Sequence, residues 1–243
     1  MRVMCMLPAG EGVYPEVAAK RRLKVMESYA TPDIEIHAEY MPGVSGFSPW
    51  GGKGGPEGNI LTPANSLAAD LAQRAEREGY DAFCPYGMLD IGIKEARRRG
   101  VKIPVVGQSE AAILYCGMLG RRFASCSYMP GSGGLVRSEA AALGLEHLYV
   151  ADTAIGIPNS EYPERRQEVL ENFVRCTREA REQGAEIMGW IAMSICPGEF
   201  PAKELMAASG FPVLDALAGQ IAMASWFHRT GLPFSLLRTG RNA

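Results

Sequence analysis

Apolar and polar positions along the chain alternate between two patterns. Short, nearly unbroken apolar runs predict buried strands, and longer runs with apolar residues every three or four positions predict helices. RVMCML (residues 2–7) is the first strand-like run, and a helical pattern covers residues 16–29. IEIHAEYM (34–41) alternates and predicts a second strand. SLAADLAQRAEREG predicts a helix with Asn65 as its N-cap and Gly79 as its stop. YDAFCPYG, IKEARRRG and IPVVG then predict strand, helix and strand. The second half repeats the order. RRFASCSY is a strand, SEAAALGL a helix, HLYVAD a strand and PERRQEVLENFVRCTREAREQG a long helix. WIAMSIC (190–196) predicts a strand, PAKELMAASG a helix, FPVLDAL a strand and LAGQIAMASWFHRTGL a final helix. This is the βαβ rhythm of a mostly parallel sheet.

An internal echo organises these elements. Residues 76–112 and 181–219 each run through a helix ending in Gly, a buried strand, a Gly-bearing turn, a short helix and a hydrophobic strand. Ile-Pro-Val-Val in one copy matches Phe-Pro-Val-Leu in the other, so Pro104 corresponds to Pro212. Counted back from these prolines, Gly87 falls near Cys196. The fold class expected is α/β, with two pseudo-symmetric lobes, each a mostly parallel sheet flanked by helices, and a cleft between them. Residues 1–107 form the first lobe, with the helix over 217–233 packing back on it, and residues 108–216 form the second.

Parallel sheets bind ligands beyond the carboxyl ends of their strands. The expected strand ends here carry small or polar residues: Pro8, Gly87 and Met88, Ser109, Ser127 and Tyr128, then Cys196, Pro197 and Gly198. Backbone N–H groups at such turns suit a carboxylate or enolate oxygen. Ser109 is equally suited to capping the helix EAAILYCGML. One stretch, residues 41–59, is rich in Gly and Pro and breaks the rhythm; it is a candidate lid that would carry Phe47 or Trp50 over a ligand.

Composition narrows the functional classes. The chain has 243 residues and a net charge of −2, with no basic run beyond KRR and ARRR, so nucleic acid is not an expected partner. No apolar run approaches a membrane span and the N-terminal segment lacks a signal-peptide pattern, so no membrane partner and a cytoplasmic location are expected. Six cysteines and three histidines show no Cys-x-x-Cys or clustered ligand spacing; no metal and no disulfide framework is expected. His37, His147 and His228 fall away from the strand ends and are not candidates for catalysis.

The block GYDAFCPYGMLDIGIKEARRRGVKIPVVGQSEAA (79–112), with LGRRFASCSY (119–128) and SICPGEFPAKELMAASGFPVLDALAG (194–219), resembles the aspartate/glutamate/hydantoin racemase superfamily, nearest in flavour to hydantoin racemase. The resemblance implies a cofactor-independent, homo-oligomeric enzyme acting on a small anionic or cyclic-amide substrate. In that family one cysteine from each lobe flanks the substrate, one thiolate removing the proton α to a carbonyl and the other thiol returning one to the opposite face. Here Gly87 stands at the first cysteine's position. Cys196 is the candidate for the second; an anchor on Gly184 and Ala185 instead places Ala192 there and leaves no thiol. The Gly87/Cys196 pattern resembles arylmalonate decarboxylase, where loss of carbon dioxide makes the carbanion and one thiol protonates it. The expected activity is therefore formation and protonation of an enolate or carbanion by a racemase, isomerase or decarboxylase with Cys196 as the catalytic thiol. Cys84 and Asp90 are candidates for a second base. A hydrolase, or a non-catalytic protein that binds a small anion, is the alternative.

Overall fold

The computed structural model of the protein describes residues 1–8, 16–41 and 58–231. The candidate lid, with Phe47 and Trp50, lies outside the described residues. Two compact units account for the chain: Met1–Gln108 with the residues from Gln220 on, and Ser109–Gly219.

Unit 1 contains β1 (Arg2–Leu7), α1 (Glu16–Glu27), β2 (Glu35–Tyr40), α2 (Gly58–Arg77), β3 (Ala82–Pro85) and α3 (Ile93–Arg98). Its strands form one parallel sheet in the order β2-β1-β3. The apolar runs explain that order. Central β1 is buried along almost its whole length, as is β3, whose outer side carries the single bridge from Phe83 to Val105, whereas alternating β2 lies at the opposite edge. Ala68, Ala72 and Ala75 of α2 pack with Met4, Met6 and Phe83 of the sheet, small residues letting helix and sheet approach closely.

Unit 2 repeats the plan with α4 (Gln108–Leu119), β4 (Phe123–Ser127), α5 (Gly133–Ala142), β5 (Tyr149–Ala154), α6 (Arg166–Glu182), β6 (Ile187–Ile191), α7 (Ala202–Ser209) and α8 (Ala216–Thr230); α4 starts in unit 1 and α8 continues into it. The sheet order is β5-β4-β6, again all parallel, with alternating β5 at the edge. Phe173 of α6 and Leu205 of α7 join Cys126, Met188 and Phe211 in the core. Among the described residues no helix is long and apolar enough to cross a membrane.

Several elements differ from expectation, each for a local reason. IPVVG and FPVLDAL are not strands; each makes a single parallel bridge, Val105 to Phe83 and Val213 to Met188. Pro104 and Pro212 lack an N–H to donate to a ladder, but their carbonyls accept from Phe83 at 2.8 Å and Met188 at 2.9 Å. The strand expected over 190–196 starts and ends earlier, at Ile187 and Ile191. Beyond Ile191 the N–H groups of Ile195 and Cys196 both turn back to the Ala192 carbonyl, so the chain coils instead of extending. α2 begins before Pro63, and Asn65 is not its cap. The Asn65 Oδ1 accepts instead from the Gly92 N–H at 2.7 Å. Gly79 ends its helix as expected, in the left-handed conformation with φ of 77°.

Candidate active site

In unit 1, β3 leads into a tight turn. Tyr86 donates its N–H to the Met6 carbonyl at 2.8 Å, the last rung of the sheet. Gly87 follows with φ of 125°, a conformation that suits glycine. Among the described residues a Cβ there would meet only Pro8, whose Cγ would lie 3.6 Å away, so the structure puts Pro8 beside Gly87. The Gly87 N–H donates to the Oε1 of Gln108 at 2.5 Å. Met88, next in the turn, is buried. Asp90 adopts φ of 49°, an uncommon left-handed conformation for a non-glycine residue. Its carboxylate lies against the backbone of Gly107, where any side chain would collide with it.

Cys84 is not at this turn. It sits inside β3, fully buried and paired in register with Cys5 of β1. Burial, and secondarily Cys5, push its thiol well above the usual range. Such a shift favours the protonated thiol near neutral pH, and the structure places Cys84 in the buried sheet rather than in the turn.

In unit 2 the register identifies which residue matches Gly87. Val3–Met6 of β1 pair with Ala82–Pro85 of β3 without interruption. Phe123 and Ala124 of β4 pair with Ile187 and Met188, but Ser125 and Cys126 pair with Trp190 and Ile191, so Gly189 is an extra residue in β6. Phe83 and Met188 are equivalent, since each carries the bridge to the proline segment. Counting on from them, Gly87 corresponds to Ala192, or to Met193 once the extra residue is allowed for. Cys196 lies beyond both. The prolines do correspond, but the turn and helix between strand and proline are longer in unit 2 (192–209 against 86–98). Counting back across that difference misplaces Cys196 at a strand end.

Cys196 lies inside the turn after β6 and is 1% exposed. Burial, and then the nearby carboxylate of Asp215, push its thiol up, which keeps it protonated. Asp215 itself caps α8, accepting the Ala218 N–H at 3.0 Å. Pro197 and Gly198 are half-buried in the same turn. Gly198 donates to the Met193 carbonyl at 3.0 Å, and a Cβ on it would overlap that oxygen.

The remaining candidates divide. Ser109 lies within the first turn of α4, so it is not the N-cap. Its buried hydroxyl accepts from Trp190 Nε1 at 2.8 Å and donates to Glu139, which ties α4 to β6 and α5. Ser127 ends β4 and donates to the Met129 carbonyl. Tyr128 is half-buried against the core of unit 2, its carbonyl accepting the Gly156 N–H at 2.9 Å.

Two further polar residues stand at the unit 1 turn. Gln108 and Gln220 are both fully buried. The Gln220 Nε2 donates to the Pro85 carbonyl at 2.9 Å and to the Val106 carbonyl at 2.7 Å. The signal for Gln220 is a lone carboxamide in the apolar run LAGQIAMA; such a residue is either exposed or bonded inside.

Two parallel sheets, each ending in a backbone-lined turn, define an α/β fold of the racemase class. The family model described as Asp/Glu/Hydantoin racemase matches residues 56–223, and the chain belongs to that family. It is similar to a hydantoin racemase of Rhizobium meliloti, 27% identical over 193 residues that span 77% of this chain and 75% of the relative. Among solved structures it shares its fold with allantoin racemase from Pseudomonas fluorescens, at a TM-score of 0.79 and 20% identity, covering 100% of this chain and 98% of the other. Unliganded arylmalonate decarboxylase matches at a TM-score of 0.56 and 18% identity, covering 93% and 92% of the two chains.

Proposed function

We propose that this chain is a racemase- or decarboxylase-type enzyme that forms an enolate or carbanion α to a carbonyl or carboxyl group and protonates it without an organic cofactor. Its substrates are small acids, amino acid derivatives or hydantoin-like rings. The observation that carries this reading is the pair of equivalent strand ends. Within a racemase-family chain, each sheet delivers its carboxyl edge into a turn, yet Gly87 and Ala192 or Met193 occupy the equivalent positions and none is a thiol. Inversion by two thiols needs a base on one face and an acid on the other. Decarboxylation makes its own carbanion and needs only the acid.

Cys196 fits the acid and not the base. Its raised pKa keeps the proton on sulfur, so it can give one but not take one at neutral pH. Because the thiol is covered, donation requires the turn over 192–200 to open. Asp90, in the turn after β3, is the candidate base for any exchange reaction. The test is incubation with hydantoins, amino acids and substituted malonates in heavy water, followed by NMR of the α-position. The expected result is deuterium incorporation or loss of carbon dioxide in one class. Cys196→Ala slows it by about a hundredfold or more, and Asp90→Asn slows exchange but not decarboxylation. Activity of Cys196→Ala equal to wild type removes the thiol from the mechanism. Inertness towards the whole panel removes the reading itself.

A further inference from the structure

The carboxyl end of β3 carries two buried carboxamides whose orientations are set by the backbone. Gln108 must present Oε1 to the Gly87 N–H, and Gln220 must present Nε2 to the carbonyls of Pro85 and Val106. Exchanging O and N in either amide would set donor against donor or acceptor against acceptor. What each then has left is fixed: a donor on Gln108 Nε2 and an acceptor on Gln220 Oε1. Both atoms are buried, and among the described residues neither has a hydrogen-bond partner, nor do they bond to one another. Buried polar groups are otherwise almost always paired. Both amides belong to unit 1, and their bonded partners are close in the chain: Pro85 with Gly87, Val106 with Gln108 itself.

From this juxtaposition we infer that Gln108 and Gln220 form a reader for a neutral amide edge, a C=O beside an N–H, at the Gly87 turn. The substrate carbonyl accepts from Gln108 Nε2 and the substrate N–H donates to Gln220 Oε1. Gly87 itself is half-buried, and among the described residues only Pro8 lies within 4 Å of the place of an absent Cβ. A carboxylate fits this pair poorly, since it has no hydrogen for Gln220 and would set a second acceptor against Oε1. The pair therefore selects ring amides, ureides and carboxamides over open-chain acids within the substrates proposed above. The inference rests on that reading for its site.

Binding by the full-length protein, measured calorimetrically, tests it without requiring turnover. The probes are hydantoin, 1,3-dimethylhydantoin, which keeps the ring and carbonyls but has no N–H, and methylmalonate. Hydantoin is expected to bind on the order of ten- to a hundredfold more tightly than either of the others, because a ligand lacking the hydrogen leaves Gln220 Oε1 unpaired. Gln108→Leu and Gln220→Leu should reduce the preference, with folding checked by circular dichroism. If either variant fails to fold, the comparison of probes on wild type still decides. Equal binding of hydantoin and its dimethyl derivative, or tighter binding of methylmalonate, overturns the amide reader while leaving enolate chemistry standing. Hydantoin binding with the predicted preference but no α-exchange on any substrate upholds the reader and fails the enzyme. No binding of any probe overturns the reader.

Discussion

Gly198 shows how little room the turn after β6 allows. Its backbone passes so close to the Met193 carbonyl that a single methyl group would overlap it. Gly198→Ala is therefore expected to destabilise the protein by about 1–3 kcal/mol, measured as a lowered urea midpoint. Part of that cost is a shift of the loop that covers Cys196. If the covering turn matters to donation, the same variant changes the alkylation rate of Cys196 as well as stability; an unchanged urea midpoint would show that the turn relaxes freely. At this scale the sequence was informative about glycines and poor about thiols. Gly79 and Gly87 stand in the left-handed or open conformations their positions require. Six cysteines look alike in one dimension, and only packing separates Cys84, inside a sheet, from Cys196, inside a turn.

Elements are held to their sheets by side chains that reach helix ends. Asp152 on β5 accepts the Gly133 N–H at 3.0 Å and the Ser132 hydroxyl at 2.9 Å, placing a carboxylate on the start of α5. It also accepts from Ser125 of β4 at 2.6 Å. An acidic group at a helix N-terminus satisfies free N–H groups and complements the helix dipole. Asp152→Ala should cost about 1–2 kcal/mol and raise amide exchange in the first turn of α5. Exchange rising equally across unit 2 would mean that the anchor is not local. This link joins residues 19 apart and left no pattern in the sequence. The strand boundaries were legible where runs were long. They failed at Pro104, Pro212 and Ile191, where a missing N–H or a competing local turn replaced the ladder.

Across the whole molecule, buried thiols are expected to make stability fall at alkaline pH. Burial pushes Cys5 and Cys116 up to about 12, and raises Cys84 and Cys196 as well. Cys176 is the exception, its thiol lowered by a hydrogen bond with Cys126 and by Arg175. A group whose folded pKa exceeds the unfolded value of about 8.5 contributes its stability in full below that pH. The contribution is then lost as pH rises toward the folded value, at no more than about 1.4 kcal/mol per pH unit for each thiol. Urea midpoints should thus fall from pH 8.5 upward, and Cys5→Ala should show a shallower fall. An identical slope in that variant would exclude Cys5 from the effect.

By itself the sequence determined the class of fold, because short apolar runs alternating with helical periodicity dictate buried parallel strands joined by helices. It also established that the Gly87 turn carries no thiol, since that is a matter of residue identity. Only tertiary structure decided what stands opposite that position in the repeat, because the extra residue at Gly189 and the longer turn after Ile191 move Cys196 out of register. Tertiary structure alone also brought Gln108 and Gln220, 112 positions apart in the numbering of one chain, to the same strand end. Backbone carbonyls and an N–H group fix which way each amide faces.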